Sequence, residues 1–120
     1  MPTFDADALR ELRDLEEIAI RTERHPQNAV VIWVAVAKGE VFVRSARGTK
    51  GRWYSDVATG GGATLEFAGR RLPVRAVPAT DQASIDSASR EYLRKYRTSP
   101  YAQSVLRPDI LPTTLRLEPL

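Results

Sequence analysis

The chain has 120 residues, 42% hydrophobic and 28% charged, with a formal net charge of +3, the size and balance of one domain with a modest core. Fifteen arginines stand against three lysines, with no cysteine and a single histidine, His25. Disulfides, thiolate metal sites and cysteine nucleophiles are therefore excluded. No basic leader runs into an apolar stretch and no apolar run approaches the ~18 residues of a membrane span, so a cytoplasmic protein with no membrane partner is expected.

Phe4 to Leu15 reads as a short helix. Asp5 is placed to cap it, Leu9, Leu12 and Leu15 share one face, and Phe4 and Leu9 occupy the positions of a hydrophobic staple. From Glu16 to Arg24 the period changes: Ile18, Ile20 and Thr22 alternate with Ala19, Arg21 and Glu23, as in a strand with one wet face. Arg21 falls on the polar side and reads as a surface residue. His25-Pro26-Gln27-Asn28 is a turn, and a lone histidine beside proline reads as surface rather than as a base.

Ala29 to Ala37, AVVIWVAVA, is the most apolar segment and predicts one central strand; Trp33 packs near the hairpin or shapes a ligand pocket, and core packing is the preferred reading. Lys38-Gly39 reverses the chain, and Glu40 to Ser45 returns antiparallel, Val41 and Val43 on one face, Phe42 and Arg44 on the other. Lys50 to Thr59 predicts one or two helical turns. Ala63 to Ala68 is a strand, and so is Arg71 to Ala79, where Pro73 and Pro78 predict an edge position or a bulge. Asp81 to Tyr96 is the main helix, with Ile85, Ala88, Tyr92, Leu93 and Tyr96 as its apolar stripe. Tyr101 to Arg107 adds a short helix, and Thr113 to Glu118 is the last strand. No repeat or linker divides the chain, so residues 1–120 are expected to form a single domain. A sheet with so few helices leaves edges open unless it curls into a barrel.

The stretch Arg44 to Tyr54, RSARGTKGRWY, concentrates Arg44, Arg47, Lys50 and Arg52 with Gly48 and Gly51 and no acidic residue. Glycine lets backbone N–H groups approach a ligand and arginine supplies planar charged donors, which suits a phosphate between a strand and a short helix. There is no GxxxxGK[ST] and no GxGxxG. A solvated basic turn has the same composition, so both readings stay open. Asp56, Asp86 and Asp109 are too scattered to argue for a metal or a carboxylate pair.

Three stretches, IWVAVAKGEVFVRSARGTKGRWY, EYLRKY and TLRLEP, carry a family resemblance. Through them the chain resembles the flavin-binding split barrels. Within these it is most similar to a small group related to the deazaflavin-dependent nitroreductases and the pyridoxamine-phosphate-oxidase-like proteins. Ser45 and Gly48 match the Ser and one glycine of the Ser-Lys-Gly-Gly-like loop of the deazaflavin enzymes, and Trp53-Tyr54 match their helix-opening pair. Their Thr-x-x-Gly-Arg-x-Ser-Gly stretch is replaced here by TERHPQNA.

The resemblance implies a mainly β fold: a six-stranded antiparallel split β-barrel with one long and one to three short helices, paired as a homodimer. FMN or a 5-deazaflavin coenzyme would lie across the interface. Arg44, Arg47, Lys50 and Arg52 would hold its phosphate, the Gly48 backbone would approach it, and Ser45 would donate a hydroxyl. Trp53 or Tyr54 would line the ring pocket or anchor the helix, two roles the sequence does not separate. The expected function is a flavin- or deazaflavin-binding protein, an oxidoreductase passing a hydride to a small organic acceptor. Two rival readings are a cofactor-free barrel dimer and a weak nucleic-acid-binding barrel. The second is disfavoured by the small net charge and the lack of an aromatic reading motif.

Overall fold

The computed structural model describes residues 3–120. Helix α1 (Ala6–Asp14) begins where the Asp5 carboxylate accepts the Ala8 N–H at 2.8 Å, the cap expected from the sequence. Strands β1 (Glu17–Thr22), β2 (Ala29–Trp33), β3 (Ala35–Ala37) and β4 (Glu40–Val43) follow. A 3₁₀ turn at Gly48–Lys50 leads into helix α2 (Arg52–Val57). Strands β5 (Gly62–Phe67) and β6 (Arg70–Pro78), helix α3 (Gln82–Lys95), two further 3₁₀ turns (Ala102–Leu106 and Leu111–Thr113) and strand β7 (Leu115–Pro119) complete the chain.

All strand pairs are antiparallel, and they form one curled, half-barrel sheet in the order β2-β1-β5-β6-β7-β4-β3. The fold is mainly β, as expected, but there are seven strands among the described residues and not six. The single strand expected over Ala29 to Ala37 is broken at Val34. The Val34 N–H goes to the Tyr96 hydroxyl at 3.2 Å, and its carbonyl accepts from Lys95 Nζ at 2.9 Å. Side chains at the end of α3 thus take the backbone bonds a neighbouring strand would have taken. On either side of this break the chain pairs differently: β2 with β1, β3 with β4. The first and last strands of the sheet are therefore two halves of one segment, which curls the sheet round.

The inner face of the curl holds the main core: Ile18, Ile20, Val34, Val41, Val43, Leu65, Val74 and Leu117, closed at one end by Ala8 and Leu12 of α1 and by Phe4 just before it. Helix α3 lies outside the sheet. Tyr92 and Tyr96 pack with Ala35, Ala102 and Val105, while Ala88 packs with Ala37, Phe42 and Ala79. The expected stripe of α3 is corrected at one position, since Leu93 is 45% exposed. The position of β6 is also corrected: it is central, between β5 and β7. Its prolines fit because the strand is staggered. β5 pairs with Arg70–Arg75 and β7 with Val74–Pro78, so Pro73 and Pro78 each sit where only one neighbour is paired by the ladder.

Lys95 joins these parts. Its Nζ donates to the Leu12 carbonyl of α1 and to Val34, both at 2.9 Å, and lies 5.3 Å from the centre of the Tyr96 ring. Burial, helped by the nearby Arg94, pulls its ammonium down to about 8. In the unfolded chain a lysine keeps its proton to about 10.4. Between these values the unfolded chain holds more protons, so stability is expected to rise as pH goes from about 8 to 10. Above that window Tyr96, raised to about 12 by burial, acts with the opposite sign. Denaturant titrations across this range should show the rise in wild type and its loss in Lys95→Met; an equal slope in both would refute the assignment.

Candidate functional site

Were the β3–β4 ladder to continue past Ala35↔Phe42, Trp33 would face Arg44. The break at Val34 prevents this. β2 turns away toward β1, and a cleft of about 570 Å³ opens between β2 and the chain leaving β4. One wall is the run Val30–Trp33 with Glu17 of β1 beside it. The floor is Arg44–Arg47 with Gly51–Trp53, and the far wall is Tyr101, Ser104 and Val105. Trp33 is thus a cleft residue as well as a packing one: its indole stacks on Tyr96, ring centres 4.0 Å apart and planes within 3°. Val31 and Tyr101 stand at the mouth, 62% and 71% exposed.

The eight residues singled out in the sequence separate into three groups. Arg47, Arg52, Ser45 and Trp53 line the cleft. Gly48, Lys50 and Tyr54 do not. Gly48 is buried against Asp109 and Ile110 with φ +67°, a conformation that favours glycine. Lys50 is exposed. Tyr54 packs on the main core with its ring edge-on to Trp53.

Arg44 stands alone. It borders the cleft, yet it is only 3% exposed and its guanidinium is turned under α3. Nε donates to Thr114 Oγ1 at 2.9 Å and Nη1 to the Val105 carbonyl at 2.8 Å. Nη2 donates to the Ile85 carbonyl at 3.0 Å and to Ser89 Oγ at 2.9 Å. The carbon between its nitrogens lies 5.2 Å from the Tyr92 ring centre. Burial lowers its pKa, without a carboxylate to offset the loss of water. The expectation that all four basic side chains of the loop face solvent or an anion is therefore corrected: Arg44 is a structural cation whose donors are taken by neutral acceptors.

Arg47 and Arg52 are exposed, and among the described residues neither forms an ion pair. Ser45 lines the same cleft. Its N–H donates to Thr113 Oγ1 at 3.0 Å, its carbonyl accepts from Gly48 at 2.9 Å, and its Oγ is buried with no hydrogen-bond partner among the described residues. A Cβ on residue 51 would lie 2.5 Å from that oxygen, so a side chain there would force the Ser45 hydroxyl to move. A buried hydroxyl without a partner costs about 1–3 kcal/mol.

Arg21 and His25 are outside the cleft lining. Arg21 pairs with Glu66 at 2.8 Å and donates to the Pro26 carbonyl, holding the β1–β2 turn. His25 Nδ1 is 2.7 Å from Asp56, which also accepts from Thr22 Oγ1 at 2.7 Å. Burial pushes the Asp56 carboxyl up, but the bonds from Thr22 and His25 outweigh it and hold the group below its ordinary range. Sequence reading missed Glu17 and Tyr101 as cleft residues.

Among the described residues no helix is long and apolar enough to cross a membrane, and no cluster of His, Cys, Asp or Glu is arranged to hold a metal ion. A family model described as an uncharacterized protein conserved in bacteria, DUF2255, matches residues 7–117. No curated protein matches the sequence. Among solved structures, the conserved hypothetical protein Rv2991 from Mycobacterium tuberculosis is similar, with a TM-score of 0.60 at 9% identity over 96% of this chain and 78% of that one. The protein Atu2129, of unknown function, from Agrobacterium tumefaciens superposes with a TM-score of 0.52 at 15% identity over 97% of this chain and 54% of its own. At such identities the likeness is one of fold.

Proposed function

The chain belongs to the DUF2255 family, and we propose that this member is a split barrel that binds a planar, phosphate-bearing cofactor of the FMN or 5-deazaflavin type in the cleft beside β2. The observation that carries the reading is the floor of that cleft: Arg47 and Arg52 without acidic partners, next to the unpartnered Ser45 hydroxyl. The walls suit the ring. Trp33, Trp53, Tyr101 and Val31 supply apolar and aromatic surface, and the volume falls in the range of about 300–1,000 Å³ common for small-molecule sites.

Arg47 and Arg52 hold the phosphate as charged, planar donors, and Ser45 gives it a hydroxyl bond. When bound, a flavin or deazaflavin supplies hydride transfer, and an activity toward a small organic acceptor follows from that chemistry. The chain's own part is to bind the anion, to seat the ring against Trp33 and to keep water from one side of it. The proposal extends to a homodimer, since Val31 and Tyr101 expose apolar surface at the cleft mouth that a second copy would cover. The same two residues favour a second reading, a barrel that dimerises there without a cofactor.

The test is titration of the purified protein with FMN and, separately, with a 5-deazaflavin coenzyme, followed by absorbance and fluorescence, with sedimentation run alongside. Saturable binding with a shifted flavin band is expected, together with a dimer. A dimer that binds neither cofactor would overturn the first reading and leave the second in its place.

A further inference from the structure

The wall of the cleft carries more than apolar surface. Glu17 of β1 and Trp33 of β2 are directly opposite in the antiparallel register, so their side chains stand on the same face of the sheet, about 4.5–5.5 Å apart at Cβ. Both line the cleft. Tyr96 covers one face of the indole and fixes its plane, while Glu17 is exposed and forms no ion pair among the described residues. A rigid aromatic platform with a free carboxylate at its side fits a flat heterocycle. The ring packs against the aromatic, and the carboxylate accepts an N–H in the plane of the ring.

We infer that Glu17 is a specificity-determining residue: it selects ligands whose ring edge carries an amide- or imide-type N–H, and it works with arginines at the floor of the same cleft that take the phosphate. This rests on the reading above that a planar, phosphate-bearing ring occupies the cleft. A purely electrostatic role has the opposite sign. Removing a negative charge from a cleft that binds a phosphate would tighten binding, whereas removing an acceptor from a ring N–H loosens it.

The experiment compares FMN, whose ring carries an N–H at N3, with FMN methylated at that nitrogen. Each is titrated into wild type, Glu17→Ala and Glu17→Gln, all checked for an unchanged melting temperature. A charge-assisted hydrogen bond is worth about 1.5–3 kcal/mol, so Glu17→Ala is expected to weaken FMN about ten- to a hundredfold. It should leave the N-methylated ligand, already weak in wild type, nearly unchanged, with Glu17→Gln between. Tighter FMN binding in Glu17→Ala, equal loss for both ligands, or no loss for either would overturn the inference while leaving the cofactor reading standing. If wild type binds no FMN at all, the cofactor reading fails and the inference falls with it.

Discussion

Arg44→Ala is expected to lower folding stability by about 3–5 kcal/mol, from buried acceptors left without a donor at about 1–3 kcal/mol each and from the cavity the side chain leaves. The reason is the geometry around its guanidinium. Four donor contacts converge on Thr114, Val105, Ile85 and Ser89. They tie the end of β4 to the middle of α3, to the 3₁₀ turn Ala102–Leu106 and to the start of the last strand. Without the side chain, the Val105 and Ile85 carbonyls lose a donor beneath α3, and a cavity opens against the fully buried Tyr92. For a domain of this size the loss corresponds to a fall in Tm of roughly 10–20 °C. Arg44→Lys should recover little, since a point charge cannot reach four acceptors spread around a planar fork. Arg47→Ala and Arg52→Ala, exposed and unpaired, should change stability by less than about 0.5 kcal/mol. Equilibrium denaturation of the three variants decides the matter. An Arg44→Ala protein as stable as Arg47→Ala would show that the buried network is not what holds this corner.

That contrast marks where sequence reading succeeds and where it stops. The strands were legible because side chains alternate within them, and α3 because its buried residues recur with helical spacing. The break at Val34 left no mark. AVVIWVAVA is apolar from end to end, and the groups that split it, the Tyr96 hydroxyl and the Lys95 amine, lie more than sixty residues along the chain. Arg44 was unreadable for a similar reason. Two of its acceptors are main-chain carbonyls, which every residue has, so no side-chain identity announces them. Position in a basic run placed it with Arg47 and Arg52, whereas alternation along β4, which puts it on the face of Phe42 beneath α3, was the better guide. Gly48 illustrates a related limit: its left-handed backbone shapes the loop from beneath, facing Asp109 and Ile110 rather than the cleft. The cleft itself follows from the break, so Glu17 and Tyr101 became site residues only once the strand had been seen to part.

Removing both free arginines is the change expected to affect ligand binding most. If the cleft holds a phosphate-bearing ring, each of Arg47 and Arg52 contributes a charge-assisted contact of about 1.5–3 kcal/mol. Either alanine variant should then weaken FMN by about one to two decades, and the double variant by about two or more. Lysine at both positions should recover part of the affinity, because it restores charge without the fork. Affinity should also fall with added salt in wild type, and much less steeply in the double variant, since the screened charges are the ones removed. Arg116→Ala is the control. It removes an equal charge from β7, where Arg116 is already engaged by Glu40 and Glu118 at 3.5 Å, and should leave affinity nearly unchanged. Two results would count against the arrangement. Equal losses in Arg116→Ala and the double variant would mean that net charge, not the cleft, attracts the ligand. FMN affinity untouched in the double variant would place the phosphate elsewhere, and the buried Ser45 hydroxyl would then be a cost of folding Gly51 over the loop rather than a waiting donor.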